Sequence, residues 1–307
     1  MTTPALSVVV PVRDGGWVLR RAIERLLVQD APPGAFEIVL VDDGSTDGVA
    51  DELARSDVPV PLRVLRHAGG GRAAARNLGA RAARGRILLF LDADIWAEPG
   101  LIAAHLAAHR GHRDLGVQGV WREHPDSLTT MFMRARHILP DVTVRRRDGL
   151  SPYHVVTRNF SVDVDAFRRV GGFDETFRGY GWEDIELAFR LVRAGVALRF
   201  EPAAAGWHYH PQTLDELRAK MREAGRGAVY FWKKHGRDRG LGLFLEISPA
   251  LLPLKWLVYR SGAVTALVRP LVPVCERLGL TLLCGELYNH LAWRSYYEGV
   301  FAALRTP

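Results

Sequence analysis

The first third of the chain alternates between short, wholly apolar runs and longer stretches whose apolar residues recur at helical spacing. Residues 6–12 (LSVVVPV) predict a buried strand. Residues 17–29 carry Leu19, Ala22, Ile23, Leu26 and Leu27 on one helix face, and Pro32-Pro33-Gly34 breaks that helix. Residues 36–41 (FEIVLV) predict a second strand, 46–55 a short helix and 62–65 a third strand. Gly69, Gly70 and Gly71 open an Ala-rich helix to residue 84, and 86–91 (RILLFL) predict a fourth strand.

This alternation predicts an α/β fold, a Rossmann-like and mostly parallel sheet with helices on both faces. Ligands of such sheets sit beyond the carboxyl ends of the strands. The unusual polar residues cluster at those ends: Asp42-Asp43 after the second strand, Asp92 and Asp94 after the fourth.

Further on the pattern changes. Residues 115–121 and 155–164 predict strands, separated by a basic stretch with Arg145, Arg146 and Arg147 that is expected to be loop. Residues 182–193 predict a helix with Ile185, Phe189 and Val192 on one face. A strand over 196–200 is expected to end at Glu201-Pro202, and the chain turns mostly helical from Leu214. The expected division is a sheet domain over 1–212 and a C-terminal helical extension over 213–307. Residues 241–283 are the most apolar, yet no 18-residue stretch there is free of charge, which argues against a spanning helix. Two readings stay open for them: packing against the sheet domain, or peripheral contact with a membrane surface.

Composition narrows the class. Apolar residues make up 48 % and charged residues 24 %, values of a globular chain rather than a disordered or fibrous one. The 41 Lys and Arg exceed the 34 Asp and Glu to give +7, but the arginines are spread out and no aromatic-interleaved RNA-binding motif occurs. No nucleic-acid partner is expected. Two cysteines, Cys275 and Cys284, exclude a disulfide scaffold and a four-thiolate zinc site, and they fit a reducing compartment. The first residues lack a basic start followed by an apolar run, so a cytoplasmic protein is expected, with the inner face of the membrane as an alternative place.

Five constellations can carry chemistry. Asp92-Ala93-Asp94 places two carboxylates just past a buried strand, where their repulsion is relieved by a bound cation such as Mg²⁺ or Mn²⁺; turn capping is the plainer explanation. Asp42-Asp43-Gly44-Ser45-Thr46-Asp47 contains ordinary turn and cap residues, yet the doubled Asp exceeds what capping needs, and one carboxylate can accept from a nucleobase N–H. Gly69-Gly70-Gly71-Arg72-Ala73-Ala74 loosely fits a dinucleotide-binding loop, with Asp92 21 residues after Gly71. Against that, two strand–helix units precede the loop. Gly179-Tyr180-Gly181-Trp182-Glu183-Asp184 suggests a shaped aromatic wall beside a carboxylate able to act as a general base. His208 and His210 lie on an extended segment and are expected to face opposite ways.

The order of these motifs says more than any one of them. V-V-V-P-V, E-I-V-L-V-D-D-G-S-T-D, G-x-A-A-A-R-N-x-G, L-F-L-D-A-D and G-Y-G-W-E-D, in that sequence, resemble inverting family 2 glycosyltransferases of GT-A fold over roughly residues 5–212. The Gly-Trp-Glu-Asp segment and the His-x-His-Pro after it also look like the galactosyltransferase branch. The resemblance implies that Pro11 and Arg13 line the nucleotide pocket, that Asp43 bonds the base, and that Arg72 approaches base or diphosphate. It implies Asp92 on ribose or metal, Asp94 on the metal, and His208 or His210 as a further metal ligand. Asp184 becomes the base that deprotonates the acceptor hydroxyl, with Glu183 holding acceptor or neighbouring groups. Many members carry Asn where this chain has Arg13-Asp14, which leaves the nucleotide contact there unassigned. The implied donor is a nucleoside-diphosphate sugar, UDP-linked first, and the implied cofactor Mn²⁺ or Mg²⁺. The implied acceptor is a glycan, lipid-linked or small-molecule hydroxyl, met by residues 122–152 and the C-terminal helices. A non-catalytic nucleotide-sugar-binding protein and an NAD-dependent oxidoreductase are the alternatives.

Overall fold

The apolar runs become one eight-stranded sheet in a computed structural model that describes residues 3–136 and 149–305. Strands β1 (Leu6–Val12), β2 (Phe36–Asp42), β3 (Leu62–Arg66), β4 (Ile87–Leu91), β5 (Ile95–Ala97), β6 (Leu115–Glu123), β7 (Asn159–Asp163) and β8 (Ala197–His208) lie in the order β3-β2-β1-β4-β7-β6-β8-β5. Four of the seven pairings are parallel, and β7 and β5 run against their neighbours. The helices are α1 (Gly16–Leu27), α2 (Val49–Arg55), α3 (Arg72–Ala82), α4 (Leu101–Ala108), α5 (Met131–Arg136), α6 (Val164–Arg169), α7 (Glu183–Arg193), α8 (Leu214–Lys234), α9 (Arg239–Phe244), α10 (Leu252–Lys255), α11 (Ala263–Arg277) and α12 (Thr281–Arg305).

The central strands are apolar throughout because both faces are covered. Val8, Val10, Ile38, Leu40 and Leu89 pack with Leu19, Ile23 and Leu26 of α1. Their neighbours Val9, Val39, Val41 and Phe90 point the other way, onto Ala73, Ala75 and Ala80 of α3 and Leu187 and Leu191 of α7. The alanines let α3 lie close; a Cβ on Gly79 would come within 2.4 Å of Val9 Cγ1.

Two expectations change here. The buried face of α7 carries Leu187, Ala188 and Leu191 together with Glu183 and Glu186, whereas Ile185 and Phe189 are half-buried and Val192 is exposed. Two acids on the inner face disguise it in the sequence; Glu186 is satisfied there by Arg190 at 2.7 Å. The second correction concerns β8, which runs through Glu201-Pro202 to His208. Its pairing with β6 jumps from Gln118↔Phe200 to Val120↔Ala205, so Pro202 falls where the ladder is interrupted and no donor is needed from it. The strand expected over 155–164 is shorter, and Pro152–His154 forms a 3₁₀ turn before it. Arg145, Arg146 and Arg147 lie outside the described residues.

The chain divides into two compact units. The described residues of one are 3–124, 149–178 and Glu183–His210, which hold the sheet; those of the other are 125–136, Gly179–Trp182 and 211–305. In the helical unit, α8 opens with a capping box of Thr213 and Glu216. It packs on α12 with backbones touching, since a Cβ on Gly225 or on Gly299 would stand 2.0 Å from Tyr296 O or Arg222 O respectively. Among the described residues no helix is long and apolar enough to cross a membrane.

Candidate functional site

The carboxyl end of β4 leads straight into a tight turn, with Asp92 N–H donating to Arg158 O and Ile95 N–H to Asp92 O. The turn throws the chain into β5, which pairs antiparallel with the far end of β8 in the register Ile95↔His208. The continuation of β8 past Pro202 is therefore what brings His208 to the Asp-Ala-Asp turn. Tyr209 N–H then donates to Asp94 O at 2.9 Å and carries His210 to the same place.

Both histidines reach one carboxylate. Asp94 Oδ2 lies 3.4 Å from His208 Nε2 and 3.3 Å from His210 Nδ1. The two rings stack 5.5 Å apart, which corrects the expectation that they face opposite ways. Residues two apart on an extended chain share a face, because the side-chain period is two. The three potential ligand atoms lie within 4.8 Å of one another. The oxygen the histidines do not approach, Asp94 Oδ1, is buried with no hydrogen-bond partner among the described residues, a polar atom that a bound cation would satisfy.

A carboxylate behind His208 fixes its orientation. His208 Nδ1 lies 2.8 and 2.9 Å from the two oxygens of Glu123, its register partner on β6, which leaves Nε2 facing Asp94. Burial acts to lower the His208 pKa, but the bonds to Asp94 and Glu123 prevail and raise it. Burial would likewise raise the Asp94 carboxyl; the hydrogen bonds from His208 and His210 and the charge of Arg158 hold it far below the ordinary carboxylate range.

Asp92 stands outside this cluster. Its Oδ1 accepts from Arg76 Nη2 at 2.8 Å, and its Oδ2 lies 3.8 Å from Arg158 Nε. Arg76 is wholly buried, and its other terminal nitrogen donates to Glu183 Oε1 at 3.1 Å. One guanidinium thus ties the turn after β4 to the first turn of α7. Burial opposes its charge, but Asp92, Glu183 and Asp184 raise the Arg76 pKa nonetheless. Next to Glu183, the Asp184 carboxyl is pushed up to about 6, first by burial and then by the Glu183 charge, with Arg76 pulling the other way.

The base-binding expectation fell on Asp43, which is buried at the end of β2. Its oxygens accept from Gly70 N–H and Gly71 N–H, both at 2.9 Å, and His67 Nδ1 lies 2.6 Å away. The glycine loop therefore presents its amides to a carboxylate of the chain itself, and it follows the third strand rather than the first. Both facts speak against a dinucleotide loop. Arg72 is exposed at the start of α3, Pro11 is buried in β1, and Arg13 is exposed just beyond it. In the helical unit, Trp182 takes φ +78°, and its indole N–H donates to Ala224 O at 2.7 Å. Tyr180 N–H is held by Glu223.

Sequence reasoning missed Arg76, Glu123 and Arg158. Arg76 gave a signal, since it shares a helix face with Ala73 and Ala80, where a charge is out of place unless it is paired. Glu123 gave none, because its role rests on strand register.

Comparison with known proteins identifies the family and the fold. The model of "Glycosyl transferase family 2" matches residues 7–171, more than half of the 307, and that of "N-terminal domain of galactosyltransferase" matches residues 151–213. Validoxylamine A glucosyltransferase of Streptomyces hygroscopicus subsp. limoneus is 35 % identical over 289 residues, covering 84 % of this chain and 60 % of the relative. Pre-mycofactocin glycosyltransferase of Mycobacterium tuberculosis is 30 % identical over 245 residues, 75 % of this chain and 48 % of the relative. The chain thus spans about half to three fifths of these two curated relatives. Among solved structures, the mannosyltransferase PcManGT from Pyrobaculum calidifontis, in complex with GDP-Man and Mn²⁺, superposes with a TM-score of 0.64 at 18 % identity, covering 97 % of this chain and 88 % of its own. Residues 1–349 of S. aureus TarS in complex with UDP give 0.55 at 19 % identity, with 98 % and 91 % covered. Both likenesses identify the fold as GT-A.

Proposed function

The chain belongs to the family 2 glycosyltransferases, and from that premise we propose that it moves a sugar from a nucleoside diphosphate to an acceptor hydroxyl. The observation that carries this reading is the convergence of His208 and His210 on Asp94 Oδ2 at the strand ends, with the other oxygen of that carboxylate, Oδ1, buried and without a hydrogen-bond partner among the described residues. One carboxylate and two imidazoles suit Mn²⁺ better than Mg²⁺, which prefers an all-oxygen shell. Mn²⁺ stands beside GDP-Man in the PcManGT structure. A cation held there supplies positive charge against the charge growing on the departing diphosphate.

The chain's own residues do the rest. Asp184 accepts the proton of the acceptor hydroxyl; a carboxyl at about 6 is ionised at neutral pH yet basic enough to take it. Attack from the face opposite the leaving group inverts the anomeric carbon in a single displacement. Glu183, fixed by Arg76, anchors the first turn of α7 and has a second oxygen, Oε2, buried without a partner among the described residues, which we assign to an acceptor or neighbouring group. Asp92, held between Arg76 and Arg158, is assigned to the ribose, toward which it would use lone pairs that these two arginines leave over. Asp43 braces the glycine loop and keeps one lone-pair direction for a base N–H, beside Pro11, Arg13 and Arg72. The donor is read as UDP-linked, as the UDP in the TarS structure supports. The acceptor is a hydroxyl of a glycan, a lipid-linked sugar or a small molecule.

Release of nucleoside diphosphate from a panel of UDP- and GDP-sugars with Mn²⁺ tests the reading. Asp184→Asn is expected to cut turnover at least a hundredfold while nucleotide affinity changes less than about threefold. Equal losses in both would remove the base role. Nucleotide-sugar binding without any turnover would favour the non-catalytic alternative.

A further inference from the structure

Helix α11 has two apolar sides. Thr265, Val268, Val272 and Cys275, spaced as one helix face, turn inward, where Thr265 meets His290 at 3.0 Å and Cys275 joins Cys284, Leu287 and Phe132. Alongside them Val264, Leu267, Leu271, Val274 and Leu278 repeat the same spacing, and all five are exposed, Leu267 to 71 %. The exposed run extends backward through Leu254, Trp256 and Leu257 and forward through Leu280, Leu282 and Leu283. Of the sixteen large apolar side chains exposed among the described residues, twelve fall between Leu251 and Leu283. Single exposed apolar residues are ordinary, but a contiguous set of this size marks a surface that meets something.

Charge selects the partner. Residues 251–283 hold Lys255, Arg260, Arg269 and Arg277 against one acid, Glu276, which already accepts from the Tyr288 hydroxyl. Arg260, Arg269 and Arg277 are exposed around the apolar stripe. A second copy of this face would set these arginines against their own kind, whereas an anionic lipid surface complements them. The 15 residues of α11 extend about 22 Å at 1.5 Å each, short of the roughly 30 Å hydrocarbon core, and Pro270 and Pro273 interrupt its backbone bonds.

We propose that residues 251–283 seat the protein on an anionic membrane surface, with α11 lying in the plane of the interface. The Val264–Leu278 stripe enters the acyl boundary, Trp256 sits at headgroup depth, and the arginines meet lipid phosphates.

Co-sedimentation of the full chain with phosphatidylcholine vesicles, with and without about 30 % phosphatidylglycerol, tests this. Strong partition onto the anionic vesicles is expected, weaker on the neutral ones and falling with salt. Leu267→Glu with Leu271→Glu should lower partition at least tenfold while the melting curve stays unchanged, since both side chains are already exposed. Arg269→Gln with Arg277→Gln should weaken binding only to anionic vesicles. Absence of partition, or partition untouched by the two glutamates, would overturn the proposal. A wild-type dimer in sedimentation velocity that the glutamates dissolve would overturn it too, assigning the face to a second copy.

Discussion

Single residues carry most of the chemistry, and several act through a neighbour. Glu123 holds His208 by Nδ1; carboxylates in that position usually contribute ten- to a hundredfold in metal affinity. Glu123→Gln should therefore weaken Mn²⁺ binding by about that factor in a direct metal titration, with the circular dichroism spectrum unchanged. Unchanged affinity would make Glu123 a structural residue only. Arg76 joins Asp92 to Glu183 in the interior. Arg76→Met strands a buried carboxylate, and breaking a buried pair in this way costs about 3–5 kcal/mol; urea denaturation should show it, and a loss under 1 kcal/mol would contradict the bridge. With Asp184 as the proposed base, its carboxyl at about 6 would set the pH behaviour. Turnover should fall tenfold per unit below pH 6, because only the ionised carboxylate accepts a proton. The folded state binds this proton more tightly than the unfolded chain. The stability it contributes is therefore fully present below about pH 4 and lost as pH rises through 6. Asp184→Asn should thus be roughly 1–3 kcal/mol more stable than wild type at pH 8, the two converging near pH 4. A variant less stable at pH 8 would contradict the burial that raises this group.

At the scale of elements, small residues place the helices. Gly79 seats α3 against Val9 and Val41, and Gly225 and Gly299 let α8 and α12 touch backbone to backbone. Gly299→Val should cost at least 1–3 kcal/mol in thermal melts, the ordinary cost of overpacking; a neutral result would mean the helix pair has slack. The central strands were legible because burial on both faces leaves an apolar run with sharp ends, as at residues 6–12, which coincide with β1. The two acids on the inner side of α7 hid its true face. The passage of β8 through Glu201-Pro202 was hidden as well, because the bulge opposite Gly119 depends on a partner strand far away in sequence. That hidden continuation is what delivers His208 and His210 to Asp94.

For the whole molecule, the fold class followed from alternation of strands and helices, and the order of the acidic motifs pointed to a candidate site at one sheet edge. The pairings inside the site were not legible. Arg76 finds Asp92 and Glu183 at sequence separations of 16 and 107, and Glu123 finds His208 85 residues away. Such partners are products of topology rather than of local pattern. The excess of apolar surface at residues 251–283 is likewise a property of the folded helical unit, since the same residues in sequence read equally well as buried.

A cation site at Asp94 that serves a nucleotide is central to the proposed activity. Calorimetric titration of UDP, GDP and NAD, each with and without Mn²⁺, on wild type and Asp94→Ala, tests it most directly. UDP binding is expected to require Mn²⁺ and to be lost in Asp94→Ala, with NAD silent. UDP or GDP binding that ignores both Mn²⁺ and Asp94, or NAD binding that needs neither, would contradict it.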